Sequence, residues 1–579
     1  MSDSQHQEEN VKDDTVTLDF ALEELVFSSG TRIPIEENET IFIVGPNNSG
    51  KSATLKEVES QLRSHSAAKT VLQEIKYRFN SDLNETTKYV KEKCSKILNQ
   101  NKQLVYQIGN AGLAESNIRQ VYNQRGTGLG HLTGLVCKYL NTESRLTDSN
   151  PATRIDFKKS PMSHPIHFLE KFPDKEDEIC NLFEKAFSQP IYIDRNAGNV
   201  TPITIGSVYE KSYKEKRFDT KIMERIGELP RLEEQGDGMR SFVSILLSTK
   251  INQRKLVLID EPEAFLHPVQ IRLLGDSLTN RDKEAFQTLI STHSGDLLRS
   301  AISKNDRQIK IIRLERQGTI NIPKVLHKDD ISNLWNDPLL RYSNILDGIF
   351  HSTTIICESD SDCRFYSAIL EEICSAKDIS PDVLFTHCGG KHRIKTAVAA
   401  LKRLGVKTKA ICDIDLLCEE NTSRELLEVA GGDWNHVKGD WSALNGATKV
   451  DGTRIMKDKA LSEIEALIRN EESKYITKRT ERRIIETIKA KSVWKQLKKG
   501  GLDSGILKGD VYKSTLNIIN KFKDVDIYIV PEGEAESFVK SESDHGPEWV
   551  GKVLSNYNLA GPELLKARDF IETVCSDFL

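Results

Sequence analysis

The chain has no CxxC pair; its ten cysteines are scattered, so neither a zinc ribbon nor a disulfide framework is indicated. It has no apolar run near the roughly 18 residues that would cross a bilayer. The first fourteen residues, MSDSQHQEENVKDD, are polar and acidic, the opposite of a secretory signal. Neither sign of charge dominates: 81 Lys and Arg face 86 Asp and Glu, a net of -5. That excludes a uniformly basic nucleic-acid coat and leaves room for a local basic groove. Internal repeats and low-complexity tracts are also missing. A soluble, cytoplasmic protein without membrane contact is the expectation.

What is present is alternation. After a polar leader, 1–15, Leu18, Phe20 and Leu22 show the period of a half-buried strand, and Ser28-Ser29-Gly30 before TRIPIEE suggests a hairpin. Ile41-Phe42-Ile43-Val44 is a continuous apolar run of the buried, parallel-sheet kind. A polar, helix-compatible stretch with little apolar density follows and reads as a helical insertion over about 56–185. Strand-like runs return at Pro190–Ile193, Lys255–Ile259, Thr288–Ser291 and Ile309–Leu314. A second series begins near His351, with runs at Thr354–Cys357, Val383–Phe385, Ala410–Cys412 and Ile527–Val530, and a mostly helical insert over about 420–520. The fold class is α/β: two cores, 16–345 and 350–579, each interrupted by an insert.

Gly45-Pro46-Asn47-Asn48-Ser49-Gly50-Lys51-Ser52 matches GxxxxGK[ST] between a buried strand and a helix-compatible run. Phosphates wrapped by backbone N–H groups need glycine, because a Cβ would hold the chain away. Gly45, Asn48, Ser49 and Gly50 form that cradle; Lys51 supplies charge to the β/γ-phosphates of ATP, and Ser52 a hydroxyl for Mg²⁺. Leu256–Ile259 ends in Asp260 and Glu261, one to orient Mg²⁺ through water and one to polarise the attacking water. Thr288–Thr292 ends at His293, placed for a γ-phosphate contact.

The order of these motifs resembles the ABC-type ATPases of the SMC- and RecF-like branch. Asp260–Pro268 looks like Walker B and D-loop, His293 like the H-loop, and Gln235–Ser241, with Gly236 and Gly238, like the signature motif. The signature caps a partner protomer's nucleotide in that family, so the resemblance implies a composite site and at least a homodimer. A helix-capping turn is the bland alternative for Gly236–Gly238.

A second set of acids closes other strands. Glu358 and Asp362 follow Ile355–Cys357, and Asp413 and Asp415 follow Ala410–Cys412. Residues i and i+2 of a strand share a face, so the two aspartates can share one volume if the strand extends that far. Such a density of carboxylates calls for a cation, and hard oxygen donors suit Mg²⁺ or Mn²⁺. Glu534 and Glu536 follow the Ile527–Val530 run.

These segments resemble the TOPRIM domain, whose first motif usually reads EGxxD; here Ser359 stands for the glycine. Glu534 and Glu536 look like the late acidic motif of TOPRIM nucleases, a resemblance that implies Glu536 as the better ligand candidate. An ABC-type ATPase followed by TOPRIM resembles the OLD (overcoming lysogenization defect) family, which includes Gabija- and retron-associated defence nucleases, with a relative in PARIS. The resemblance implies an ATP-regulated, metal-dependent endonuclease in anti-phage defence, acting on nucleic acid with DNA ahead of RNA, as a homo-oligomer and with room for a second defence component. A lysine that assists cleavage is implied too, with Lys552 the candidate and Lys391 its competitor. An ATP-switched sensor or scaffold is the alternative. Topoisomerase and primase readings rank lower, lacking a marked tyrosine or a zinc element.

Residues 471–500 carry ten basic against four glutamate side chains, a net of +6. Arg479, Arg482 and Arg483 lie near one helix face with Glu486, and Tyr475 and Trp494 offer stacking surfaces. A phosphate-tracking arm and a solvated amphipathic helix fit this pattern about equally.

Overall fold

The computed structural model describes residues 17–579 except 99–101, 109–110, 209–216, 252–253, 280–285, 304–307, 327–343, 449–456, 472, 489–492 and 543. The polar leader lies outside the described residues. The chain parts into two compact units, Met1–Trp335 and Asn336–Leu579. The ATPase-like core therefore stops short of 345. The 3-10 segment Asn344–Phe350 packs into the second unit, where a Cβ at Gly348 would lie 2.6 Å from the Thr354 hydroxyl.

The first unit is built on a six-stranded sheet in the order Ile320–Leu326, Ile309–Gln317, Thr40–Val44, Gln287–Ser291, Leu256–Asp260, Cys137–Leu140. All neighbours are parallel except Ile320–Leu326, which returns antiparallel to Ile309–Gln317. Thr40–Val44 and Gln287–Ser291 are buried along their whole length, as continuous apolar runs covered on both faces must be. A smaller antiparallel sheet, Arg32–Pro34, Phe20–Phe27 and Leu72–Phe79, contains the expected hairpin. The buried carboxylate of Glu57, on the helix Lys51–Arg63, accepts from the backbone N–H groups of Thr70, Val71 and Leu72. Those bonds join the helix to the small sheet.

The helical insertion expected over 56–185 is corrected by the structure. The segment holds the strand Leu72–Phe79, a ribbon of Lys96–Leu98, Leu104–Ile108 and Ala111–Leu113, and the main-sheet edge strand Cys137–Leu140. Leu72 and Ile75 are buried three residues apart, a helix-like spacing, but pairing with Phe20–Phe27 overrides it. Ile191–Ile193 is a strand as expected; it pairs antiparallel with Ile203–Ile205 in a separate two-stranded sheet.

The second unit has a four-stranded, all-parallel sheet in the order Val383–His387, Thr353–Cys357, Lys407–Cys412, Ile527–Ile529. Helix Asp360–Lys377 follows the strand Thr353–Cys357 in the chain, and helix Lys391–Arg403 follows Val383–His387. The expected insert is present as helices Glu420–Ala430, Lys438–Thr448, Lys457–Arg469, Lys478–Ile488, Val493–Gly500 and Gly509–Lys523. Phe365, Tyr366, Phe538, Trp549 and Phe570 form an aromatic core, with Trp549 edge-on to Phe365 at 5.0 Å between centroids. Trp549→Ala should destabilise this unit by about 3–5 kcal/mol, seen as a lower urea midpoint.

Candidate nucleotide and metal sites

In the first unit, register brings the expected residues to one edge. Ile43 pairs with Ser291, and Ser291 with Asp260, so three parallel strands end level. Ligands of open α/β sheets lie beyond such carboxyl ends. Gly45 has φ 140, and a Cβ there would sit 2.2 Å from the Leu314 carbonyl oxygen. Gly50, φ 97, opens the helix that Lys51 and Ser52 begin. Asn48 takes φ 61, and Ser49 is buried. The Lys51 ammonium donates to the carbonyls of Gly45 (2.9 Å) and Pro46 (2.6 Å), folded onto its own loop.

The Ser291 hydroxyl donates to Asp260 Oδ1, and the Tyr139 hydroxyl to Oδ2 at 3.4 Å. Glu261 stands at φ 47, uncommon for a side chain of this kind. Its Oε1 lies 3.5 Å from His293 Nε2. The two groups expected to serve the γ-phosphate thus meet. Half-buried Glu263 accepts from the Thr292 hydroxyl and the His293 N–H, and desolvation pushes its carboxyl up. Gly236 caps the helix Asp237–Lys250, and a Cβ at Gly238 would lie 2.5 Å from the Phe265 carbonyl oxygen.

Two residues absent from the sequence reading hold this edge. Asn321 donates to the Ser49 carbonyl at 2.6 Å, and Arg145, fully buried, donates to the Asp260 carbonyl. Neither stands in a motif; an apolar-flanked Asn and an Arg in a polar stretch carry no local signal.

In the second unit, Glu358, Asp413 and Asp415 each offer an oxygen within 4.8 Å of the others. Adjacent parallel strands, Thr353–Cys357 and Lys407–Cys412, deliver them. The shared strand face expected for the aspartates does not exist. The strand stops at Cys412, and Asp413 caps the 3-10 turn Ile414–Cys418, which brings Asp415 back to the same volume. The Asp413 N–H donates to Glu358 Oε1 at 3.1 Å, and the Gly390 N–H to the Glu358 carbonyl at 2.9 Å.

Ser359 is extended, φ -129, so no glycine is needed there. Its hydroxyl accepts from the Asp362 N–H while Asp362 Oδ2 accepts from the Ser359 N–H, a capping box opening helix Asp360–Lys377. The departure from the usual EGxxD glycine thus has a structural explanation. Asp362 is partly spent on this cap and has Glu536 as a charged neighbour; Glu536 accepts from the Gly546 N–H at 2.9 Å. Glu534, ranked second, is the late acid linked to the cluster, through the ammonium of Lys498 at 3.8 Å.

Burial, then the Asp415 charge, pushes the Glu358 carboxyl up to about 7, and burial with the Glu358 charge raises Asp413 well above the usual range. Asp415 Oδ1 is buried with no hydrogen-bond partner. Hard donors, crowded charge and an orphaned oxygen fit a divalent ion such as Mg²⁺ or Mn²⁺.

The candidate Lys552 is corrected: it is 52% exposed, on helix Gly546–Asn556, and paired with Asp544. Lysines that do reach the acids are Lys391, 3.1 Å from the Asp415 carbonyl, and Lys498, 2.7 Å from Asp413 Oδ2. Arg479, Arg482 and Arg483 are exposed on Lys478–Ile488. The Glu486 side chain, Lys489 and Lys491 lie outside the described residues.

The family described as "AAA domain, putative AbiEii toxin, Type IV TA system" matches residues 102–300. The chain is 25% identical over 169 residues to the Old nuclease of Escherichia phage P2, covering 28% of each chain. The chain thus spans under a third of that relative's length. Together these matches support the resemblance to OLD-type ATPase/nucleases, though neither shows a TOPRIM domain. Solved structures that align include an SMC head bound to the C-winged helix domain of ScpA (13% identity, 54% of this chain, 99% of that one, TM-score 0.32). The SMC head domain from Thermotoga maritima aligns at 10% identity over 54% of this chain and 99% of that one, TM-score 0.26. At such TM-scores the likeness adds nothing to the strand orders above.

A carboxyl raised from 4.5 to about 7 on folding favours the folded state at low pH. That stability is fully present below about 4.5 and is lost as pH rises through about 7. In EDTA, the melting temperature of the second unit should therefore fall between pH 5 and 7.5, with Glu358→Gln flattening the slope and Mn²⁺ restoring stability at the upper end.

Proposed function

We propose that this chain is an ATP-regulated, divalent-metal-dependent endonuclease of the TOPRIM kind, working as a homodimer or higher oligomer in anti-phage defence. The observation that carries the reading is the convergence of Glu358, Asp413 and Asp415 at two adjacent strand ends, with Glu534 linked through Lys498. Glu358, Asp413 and Asp415 would hold the ion, with Asp362, Glu534 and Glu536 beside them. A bound divalent ion would supply Lewis-acid stabilisation of a phosphodiester's developing charge. The chain's own part is positioning. Backbone N–H bonds from Asp413 and Gly390 hold Glu358 in place, and Lys391 steadies the Asp415 turn.

In the first unit, Gly45, Asn48, Ser49, Gly50, Lys51 and Ser52 would cradle ATP with its Mg²⁺, and Asp260 would orient the metal-bound water. Glu261 would draw a proton from the attacking water, with His293 on its carboxylate. Gly236 and Gly238, at a helix N-terminus, would face a partner protomer's phosphate. The nucleic acid, DNA ahead of RNA, would track along Arg479, Arg482 and Arg483. The OLD-nuclease likeness, the strand order and the acid cluster support this reading.

Incubation of the purified protein with plasmid DNA, phage DNA and tRNA, with and without ATP, tests it. With Mg²⁺, Glu358→Ala and Asp413→Ala should each lower cleavage by ~100-fold or more, and EDTA should abolish it. Equal results in all samples would sink the nuclease and favour a scaffold. Separately, changing Arg479, Arg482 and Arg483 to Glu should weaken nucleic-acid binding and reduce the slope of its salt dependence by up to about three, one for each phosphate no longer neutralised.

A further inference from the structure

Lys498 belongs by sequence to the basic stretch 471–500, yet its side chain leaves that surface. It sits on helix Val493–Gly500, and its ammonium lies 2.7 Å from Asp413 Oδ2, 3.6 Å from Asp415 Oδ2 and 3.8 Å from Glu534 Oε2. The placement is built rather than incidental. Gly533, at φ 111, lets the Pro531–Glu534 turn come so close that a Cβ there would lie 2.1 Å from the Lys498 carbonyl oxygen. The Ser537 hydroxyl is within hydrogen-bond reach of the Lys498 and Lys499 carbonyls, at 3.1 and 3.2 Å, and the Leu502 N–H donates to Pro531 at 2.9 Å. The helix is thus tied to the turn that carries Glu534.

The oxygens divide. Both aspartates turn Oδ2 to the ammonium, and Asp415 Oδ2 also lies 3.5 Å from the Lys391 ammonium; Asp415 Oδ1 is the buried, unpartnered atom. Glu358 spends Oε1 on the Asp413 N–H. The ammonium therefore fills the space between the aspartates and the late glutamate, where a second ion bridging those carboxylates would have to sit. Two divalent ions crowded around the same carboxylates repel each other, and a fixed ammonium in place of one halves that repulsion.

We propose that Lys498 is a positioning residue whose ammonium stands where a second metal ion would sit: each chain takes a single divalent ion at Glu358, Asp413 and Asp415, with the ammonium as a permanent cation beside it. The inference rests on the metal-dependent reading above and refines its stoichiometry. It also means that the insert carrying the basic arm supplies part of the metal site's charge.

Counting ions in the nucleotide-free, full-length protein tests this without any cleavage assay. Mn²⁺ is titrated and the free ion followed by electron paramagnetic resonance, with Asp413→Asn subtracting ions bound elsewhere. The difference should be one ion per chain for wild type and for Lys498→Arg, and two for Lys498→Met. Two ions in wild type, or one in a folded Lys498→Met, would overturn the inference and leave the metal site standing. No difference between wild type and Asp413→Asn would overturn the metal reading itself, and the inference with it. If Lys498→Met does not fold by circular dichroism, the wild-type count still decides.

Discussion

Like charge gathered in a poorly solvated space is the constraint on which the second unit depends. Glu358, Asp413 and Asp415 are brought within 4.8 Å by the ends of two neighbouring strands, and burial leaves little water to screen them. Such an arrangement persists only if cations or protons answer it. The structure answers with both: carboxyls pushed upward toward protonation, and two ammonium groups, Lys391 and Lys498, reaching in from different elements.

The first unit meets a similar problem differently. Its sheet ends level, so the phosphate loop, Asp260 and His293 share an edge without any loop having to reach far. The strain sits in a loop instead, in Glu261 at φ 47, while Gly45 at φ 140 makes its tight turn freely because it has no Cβ. Buried Arg145 and Asn321 hold these two loops through the Asp260 and Ser49 backbone carbonyls.

Much of the site was legible in the chain itself, for a local reason. Apolar runs of four or five residues ending in carboxylates or in a glycine-rich loop declare both a buried strand and the chemistry at its end, and Gly45–Ser52, Asp260, His293, Glu358 and Asp413 were found this way. The helical reading of 56–185 failed because Leu72–Phe79 has its buried side chains three apart, and only its partner strand reveals it as sheet. Ser359 looked like a defect against the usual glycine, but its φ of -129 makes it an ordinary helix cap.

Sequence alone determined the α/β class, the two cores and which strand ends carry acids, because those properties are written in patterns a few residues long. Tertiary structure alone decided which lysine serves the acids. Lys552 and Lys498 are equally basic on paper, but one lies on the solvent face of its helix beside Asp544 and the other is carried inward by a helix packed on Gly533. An ammonium's role follows from the charges within a few ångströms of it, and no spacing along the chain encodes that distance.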